Sequence, residues 1–181
     1  MRKVMSPISL SRARSPIYVD STVFLNVLLD HPEHGEESAD FLKKVNRRDI
    51  LAYTSPLVFD EVCYGLTIVE TEDHLVREGM ERPIHRWKII DSLRMRPELM
   101  KTFFSKIKDA THHIFDLGGL SMLDVTGGDC SQMIVFMGEH NLLPRDALHI
   151  AVMSRNNIKR IASQDSDFDR VPGIQRYTSR A

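Results

Sequence analysis

Four acidic residues lie far apart in this chain, each at a strand end or on a helix that can face a common cleft. Asp20 follows the apolar run Ile17-Tyr18-Val19, and Glu61 lies in Pro56-Leu57-Val58-Phe59-Asp60-Glu61-Val62. Asp146 lies in Pro144-Arg145-Asp146-Ala147-Leu148-His149-Ile150-Ala151, and Asp165 in Ser163-Gln164-Asp165-Ser166-Asp167-Phe168-Asp169. Carboxylates gathered in one place repel one another unless a divalent cation neutralises them. An all-oxygen donor set suits magnesium or manganese rather than zinc. The chemistry such a set supports is metal-assisted hydrolysis.

Each position also has a plainer reading. Asp20 directly precedes a helical segment, where Asp is a favoured cap. Glu61, on a helix turning roughly 100° per residue, has Leu57, Val58, Gly65 and Ile68 as wheel neighbours, so it projects from an apolar face. A carboxylate there must be paired, protonated or metal-bound, and an arginine is the plain partner. Asp146 falls in the first turn after Pro144, where the helix dipole favours it. The Asp165, Asp167, Asp169 run is no calcium loop of the EF-hand kind, because Arg170 and Arg176 stand where Gly and Glu are needed. Asp165 is the best ligand of the three, Asp167 an accessory, and Asp169 solvated or paired with Arg170. Joint placement, more than any single residue, carries the argument.

The elements that position these residues follow from periodicity. Short runs of β-formers at residues 17–19, 50–53, 120–125, 159–163 and 174–177 predict strands. Helices are expected at 23–29, 36–45, from the Ser55-Pro56 start, at 129–140 and at 144–156. Residues 71–118 are charged and helix-compatible, broken at Pro83 and Pro97 and closed at Gly118-Gly119, which predicts an arm of two or three helices. Residues 1–15 are rich in Ser, Arg and Pro, and a flexible N-terminal arm is expected there, leaving 16–181 as a single domain. Strands alternating with helices indicate α/β architecture: a central parallel sheet of four to five strands flanked by helices. Ligands of such sheets gather outside the carboxyl ends of the strands, where Asp20 and Asp165 fall.

The 181 residues suit one domain, and a net charge of -1 offers nucleic acid no global attractive field. Local basic residues would have to serve; Arg145, beside Asp146, is the first choice for a phosphate contact. Lys43, Lys44, Arg47 and Arg48 form a second cluster, which reads more plainly as a solvated face. His149 reads as a packed or hydrogen-bonded side chain before a base. Trp87, Phe103, Phe104 and Phe115 read as arm or dimer contacts before base-stacking groups. Cys63 and Cys130 form no Cys-x-x-Cys pair, and neither a membrane span nor a secretory signal is expected, so the bland location is the cytoplasm.

Together, Ile17-Tyr18-Val19-Asp20-Ser21-Thr22, the Glu61 helix, Asp146-Ala147-Leu148-His149-Ile150-Ala151 and Ser163-Gln164-Asp165-Ser166-Asp167-Phe168-Asp169 resemble the PIN-domain ribonucleases, with the VapC-type toxins of toxin–antitoxin systems nearest. The resemblance covers about residues 16–178. It implies a PIN-like three-layer fold and a catalytic and metal-binding quartet of Asp20, Glu61, Asp146 and Asp165, with Asp167 as an additional acid. It also implies supporting roles for Thr22 and Ser163, a magnesium or manganese cofactor, an RNA substrate, a homodimer and a VapB-type antitoxin. The long 71–118 arm and the N-terminal extension depart from compact toxins. They leave room for an RNA-processing nuclease without an antitoxin, or a non-catalytic PIN-like RNA- or protein-binding module. A phosphotransferase with an aspartyl nucleophile fits less well, because Thr22 stands where its second aspartate would.

Overall fold

In the computed structural model, which describes residues 6–179, the chain runs β1 (Ile8–Ser9), β2 (Ile17–Val19), α1 (Ser21–Leu28), α2 (Gly35–Asn46), β3 (Ala52–Thr54), α3 (Pro56–Arg77), α4 (Arg86–Met95), α5 (Leu99–Phe115), β4 (Leu120–Met122), α6 (Gly127–His140), α7 (Pro144–Arg155), β5 (Arg160–Ala162) and β6 (Gln175–Thr178). The six strands form one sheet in the order β1-β6-β5-β2-β3-β4, and every pairing is parallel. Parallel pairing requires crossovers, and the helices supply them. β2 is buried at all three residues because both faces of a parallel sheet are covered.

Two sequence expectations change. The sheet has six strands rather than four to five, because residues 6–15 are not a loose arm. Ile8 and Ser9 pair with Tyr177 and Thr178 of β6, and Leu10 is fully buried. A two-residue strand shows no alternation, so its Ser/Arg/Pro surroundings dominate the sequence reading. Residues 1–5, the rest of that segment, lie outside the described residues.

The arm is helical, but its first part continues α3, a single helix of 22 residues. Val58, Val62 and Leu66, spaced by four, face the main core. Beyond them Leu75 joins Ile84 and Ile89 in a small second cluster that seats α4. α5 folds back on α3, where buried Glu70 pairs with Lys106. Gly119 closes the arm under tight contact: a Cβ there would lie 2.3 Å from the Val45 carbonyl oxygen and 2.9 Å from that of Ile50. Among the described residues, no helix is long and apolar enough to cross a membrane.

From β2 the chain builds outward through β3 to β4, then crosses back to add β5 on the other side of β2. That reversal makes the carboxyl ends of β2 and β5 a topological switch point, the preferred ligand crevice of open α/β sheets.

Candidate functional site

Asp20 follows β2 at this crevice and is 4% exposed. Although it occupies the position before α1, its side chain makes no capping hydrogen bond. Instead Oδ2 accepts from the Thr22 hydroxyl at 2.8 Å and the Ser163 hydroxyl at 2.7 Å. Both donors are themselves fixed: Thr22 Oγ1 accepts from the Gln164 N–H and Ser163 Oγ from the Asp165 N–H. The loop after β5 and the start of α1 are thus tied together through one carboxylate oxygen. Ser21 donates weakly to Oδ1, at 3.4 Å.

Glu61 enters from the second turn of α3, which Pro56 starts immediately after β3. Its Oε2 lies 3.3 Å from His149 Nε2, and its Oε1 lies 3.9 Å from Arg145 Nη1. Arg145 also reaches Asp60 at 3.7 Å and remains largely exposed. Burial acts to raise the Glu61 pKa. The hydrogen bond and charge of His149, the Ser21 hydroxyl and Arg145 outweigh it, and the group is displaced downward.

His149 is buried on α7, with Nδ1 2.9 Å from the Tyr18 hydroxyl. Tyr18 Oη in turn lies 2.6 Å from Ser55 Oγ. Burial pushes the tyrosine pKa far up, so its hydroxyl keeps its proton. In the neutral state one arrangement satisfies every member: Ser55 donates to Tyr18, Tyr18 to Nδ1, and Nε2–H to Glu61. This network assigns the ring proton to Nε2. Burial alone would lower the His149 pKa, but the Glu61 hydrogen bond and the charges of Asp20, Glu61 and Asp146 reverse this and raise it.

Asp20, Glu61 and His149 bring one ligand atom each within 4.8 Å of one another, a group that could hold a metal ion. The hydrogen-bond logic favours His149 as the residue that orients Glu61, since a protonated Nε2 cannot coordinate. Asp146 lies outside this tightest trio but within its electrostatic reach, and Asp165 acts on Asp146 in turn. Asp146, in the first turn of α7, is pushed up to about 6, first by desolvation and then by Asp165, Asp167 and Asp20, with His149 opposing. A divalent ion among these carboxylates would offset that repulsion. The donor chemistry therefore fits a hard divalent ion.

The remaining candidates separate. Asp165 Oδ1 accepts the Asp167 N–H at 2.8 Å, which orders the turn. Asp167 pairs with Arg170 at 2.8 Å, while Asp169 grips Arg176 through both oxygens. The expectation that Asp169 is solvated or pairs with Arg170 is thus corrected, because Arg176 arrives from β6. Lys43 and Arg47 are paired with Asp40 and Asp49, and Arg48 donates to the Gly118 carbonyl. That cluster precedes β3, at the opposite edge of the sheet from Asp20. Asp124 is exposed, and its carbonyl accepts from Arg155. The roles of Tyr18, Ser55 and Ser21 escape sequence reasoning. The one available signal was His149 standing three residues, one helical turn, after Asp146.

Residues 17–174 match the PIN domain family. The chain is 23% identical over 163 residues to Ribonuclease VapC6 of Methanocaldococcus jannaschii, covering 89% of this chain and 95% of that protein. VapBC2 from Rickettsia felis, solved bound to a DNA fragment from its promoter, superposes with a TM-score of 0.51 at 12% identity, covering 90% of this chain and 97% of that one. VapC20 of Mycobacterium tuberculosis, described as a sarcin–ricin loop cleaving toxin, gives 0.52 at 16% identity, covering 83% and 91%. At these identities the two structures are similar to this one in fold.

Proposed function

Since the chain belongs to the PIN domain family, we propose that it is a divalent-metal-dependent endoribonuclease that hydrolyses RNA phosphodiester bonds, the toxin of a VapBC-type pair. The observation that carries this reading is the convergence of carboxylates at the β2–β5 crevice, with Asp146 displaced to about 6 by burial and by its acidic neighbours. The names of the archaeal ribonuclease and of the two solved relatives support the substrate class and the toxin assignment.

In this reading Asp20, Glu61, Asp146 and Asp165 hold magnesium or manganese, with Asp167 as an accessory acid. Bound there, the ion supplies Lewis-acid activation of water and charge neutralisation at the phosphodiester. The chain's own residues do the positioning. Thr22 and Ser163 fix Asp20 through Oδ2 and leave Oδ1 the less engaged oxygen. His149 fixes Glu61. Arg145, exposed beside Glu61, offers its guanidinium to a non-bridging phosphate oxygen. No side-chain nucleophile is required. The partners that complete the reading are a second copy of the chain and a VapB-type antitoxin.

Asp20→Asn and Asp146→Asn test it directly. Both variants should lose divalent-dependent cleavage of an RNA oligomer while keeping the wild-type circular dichroism spectrum. Undiminished cleavage by either variant overturns the scheme. Co-purification with the product of an adjacent small reading frame tests the toxin assignment.

A further inference from the structure

One turn of the arm carries an aromatic side chain and cations that the carboxylate site does not use. Trp87, the only tryptophan of the chain, is 64% exposed at the start of α4. Its neighbours are both cationic. The Arg86 guanidinium lies 5.0 Å from the Tyr64 ring centroid, and Lys88 Nζ lies 5.7 Å from that of Trp87. Tyr64 stands three residues after Glu61 on α3, and helix positions so spaced have Cβ atoms about 5–6 Å apart. Arg86 is therefore anchored to the α3 surface one turn beyond Glu61.

The cations of the arm fall into two groups. Arg82 is held by Glu72 and Asp73, and Arg96 by Glu78. Among the described residues, no ion pair engages Arg86, Lys88, Arg94 or Lys101. Exposed cations without carboxylate partners, set around an exposed indole, suit a ligand that brings phosphates and flat rings together.

We propose that Arg86, Trp87 and Lys88 form a stacking and phosphate-holding platform for single-stranded RNA beside the carboxylate site. A base stacks on the exposed indole, and Arg86 and Lys88 contact the flanking phosphates. Base–aromatic stacking tolerates any sequence because every base has a π-face. The platform therefore supplies affinity and register without base choice. This inference rests on the nuclease reading for its substrate class.

The lone tryptophan makes the platform directly observable. Full-length Asp20→Asn protein, in chelator so that no cleavage intervenes, is titrated with a single-stranded oligoribonucleotide of mixed sequence while tryptophan emission is followed. Saturable quenching is expected. The Arg86→Ala/Lys88→Ala double variant should weaken binding by about tenfold and lower the slope of log affinity against log salt by about 1.4. With an end-labelled oligomer, Trp87→Ala should weaken binding by about tenfold. Emission unmoved by RNA while the labelled oligomer still binds overturns the platform. So does an emission shift that follows protein concentration without RNA, which would mark Trp87 as a contact between copies. The wild-type cleavage assay keeps the two readings apart. Cleavage with silent Trp87 removes only the platform, and quenching without wild-type cleavage removes only the nuclease.

Discussion

Glu61 Oε2 lies 3.3 Å from His149 Nε2, and the imidazole that makes this contact is 1% exposed. A carboxylate on the edge of an apolar helix face is thus held by a ring that is itself held by Tyr18, whose hydroxyl is held in turn by Ser55. The chain of hydrogen bonds links β2, the start of α3 and α7, three elements that must keep a common geometry for the acidic residues to converge. Glu61 stays ionised through this contact, which also makes it the site's least independent carboxylate.

Removing the ring should therefore damage both stability and the site. His149→Ala leaves a cavity and removes one of the two partners of the Tyr18 hydroxyl, so a loss of about 2–4 kcal/mol is expected in denaturant unfolding. Tyr18→Phe deletes only the hydroxyl and should cost about 1–2 kcal/mol. If His149 orients Glu61, Tyr18→Phe also weakens divalent binding measurably. If calorimetry shows no change in divalent affinity for either variant, the orienting role is lost.

Ser163 is the second positioning residue, serving Asp20 and the Asp165 N–H at once. Ser163→Ala should lower divalent affinity by about 10–100-fold, the usual cost of losing an outer partner of a ligand. Thr22→Val should have a smaller effect of the same sign, because Oδ2 keeps its other donor. An isothermal titration with manganese separates these outcomes, and equal affinity in Ser163→Ala contradicts the arrangement.

Activity and stability should run in opposite directions with pH. Asp146 is raised to about 6, so the folded protein holds its proton where the unfolded chain has released it. Its contribution to stability is present below the unfolded carboxylate pKa and is lost as pH rises through about 6. His149, also raised, acts in the same sense. Cation-free protein should melt at a lower temperature at pH 7.5 than at pH 5.5, an interval of about two units chosen to span that titration. Divalent ion should restore more at the higher pH, because ligands must be deprotonated. Cleavage should rise through the same interval. A melting temperature that climbs with pH in chelator would show that Asp146 is not held in this repulsive field.

The sequence makes the site's frame more legible than its wiring. Asp20 is readable because a short run of β-formers ends in it, and Asp165 because it lies just past a later run, so that both fall at a strand's carboxyl end. Asp146 is readable because Pro144 marks a helix start. The small and apolar residues after Asp146 mark a closely packed helix, but not what the two nitrogens of His149 meet, since Tyr18 and Glu61 lie 131 and 88 residues away. The pairing of Asp169 with Arg176 depends on where β6 docks, and a run of alternating acids cannot show that. β1 is hidden for the same reason: it exists through pairing with β6 and the burial of Leu10, both long-range events.

The α6–α7 contact offers a check on the scaffold that leaves the acidic residues untouched. Asp129 closes a capping box with Thr126 and also accepts Arg155 Nε at 2.8 Å, while Arg155 donates onward to the Asp124 carbonyl at 2.6 Å. These bonds fix the C-terminal end of α7, the helix whose N-terminal turn carries Asp146. Burial acts against the Asp129 charge, but Arg155 and the Thr126 donors outweigh it and lower the pKa. Its stabilisation is therefore present above the unfolded carboxylate pKa and lost as pH falls through its own lower value. Asp129→Ala should cost about 2–3 kcal/mol near neutral pH, combining a lost cap with a lost charged hydrogen bond. The deficit relative to wild type should shrink in acid, as wild type loses the same interaction. Chemical denaturation of both proteins at neutral and acidic pH measures this, and a deficit that stays constant would show that the cost does not come from the ionised Asp129 carboxylate.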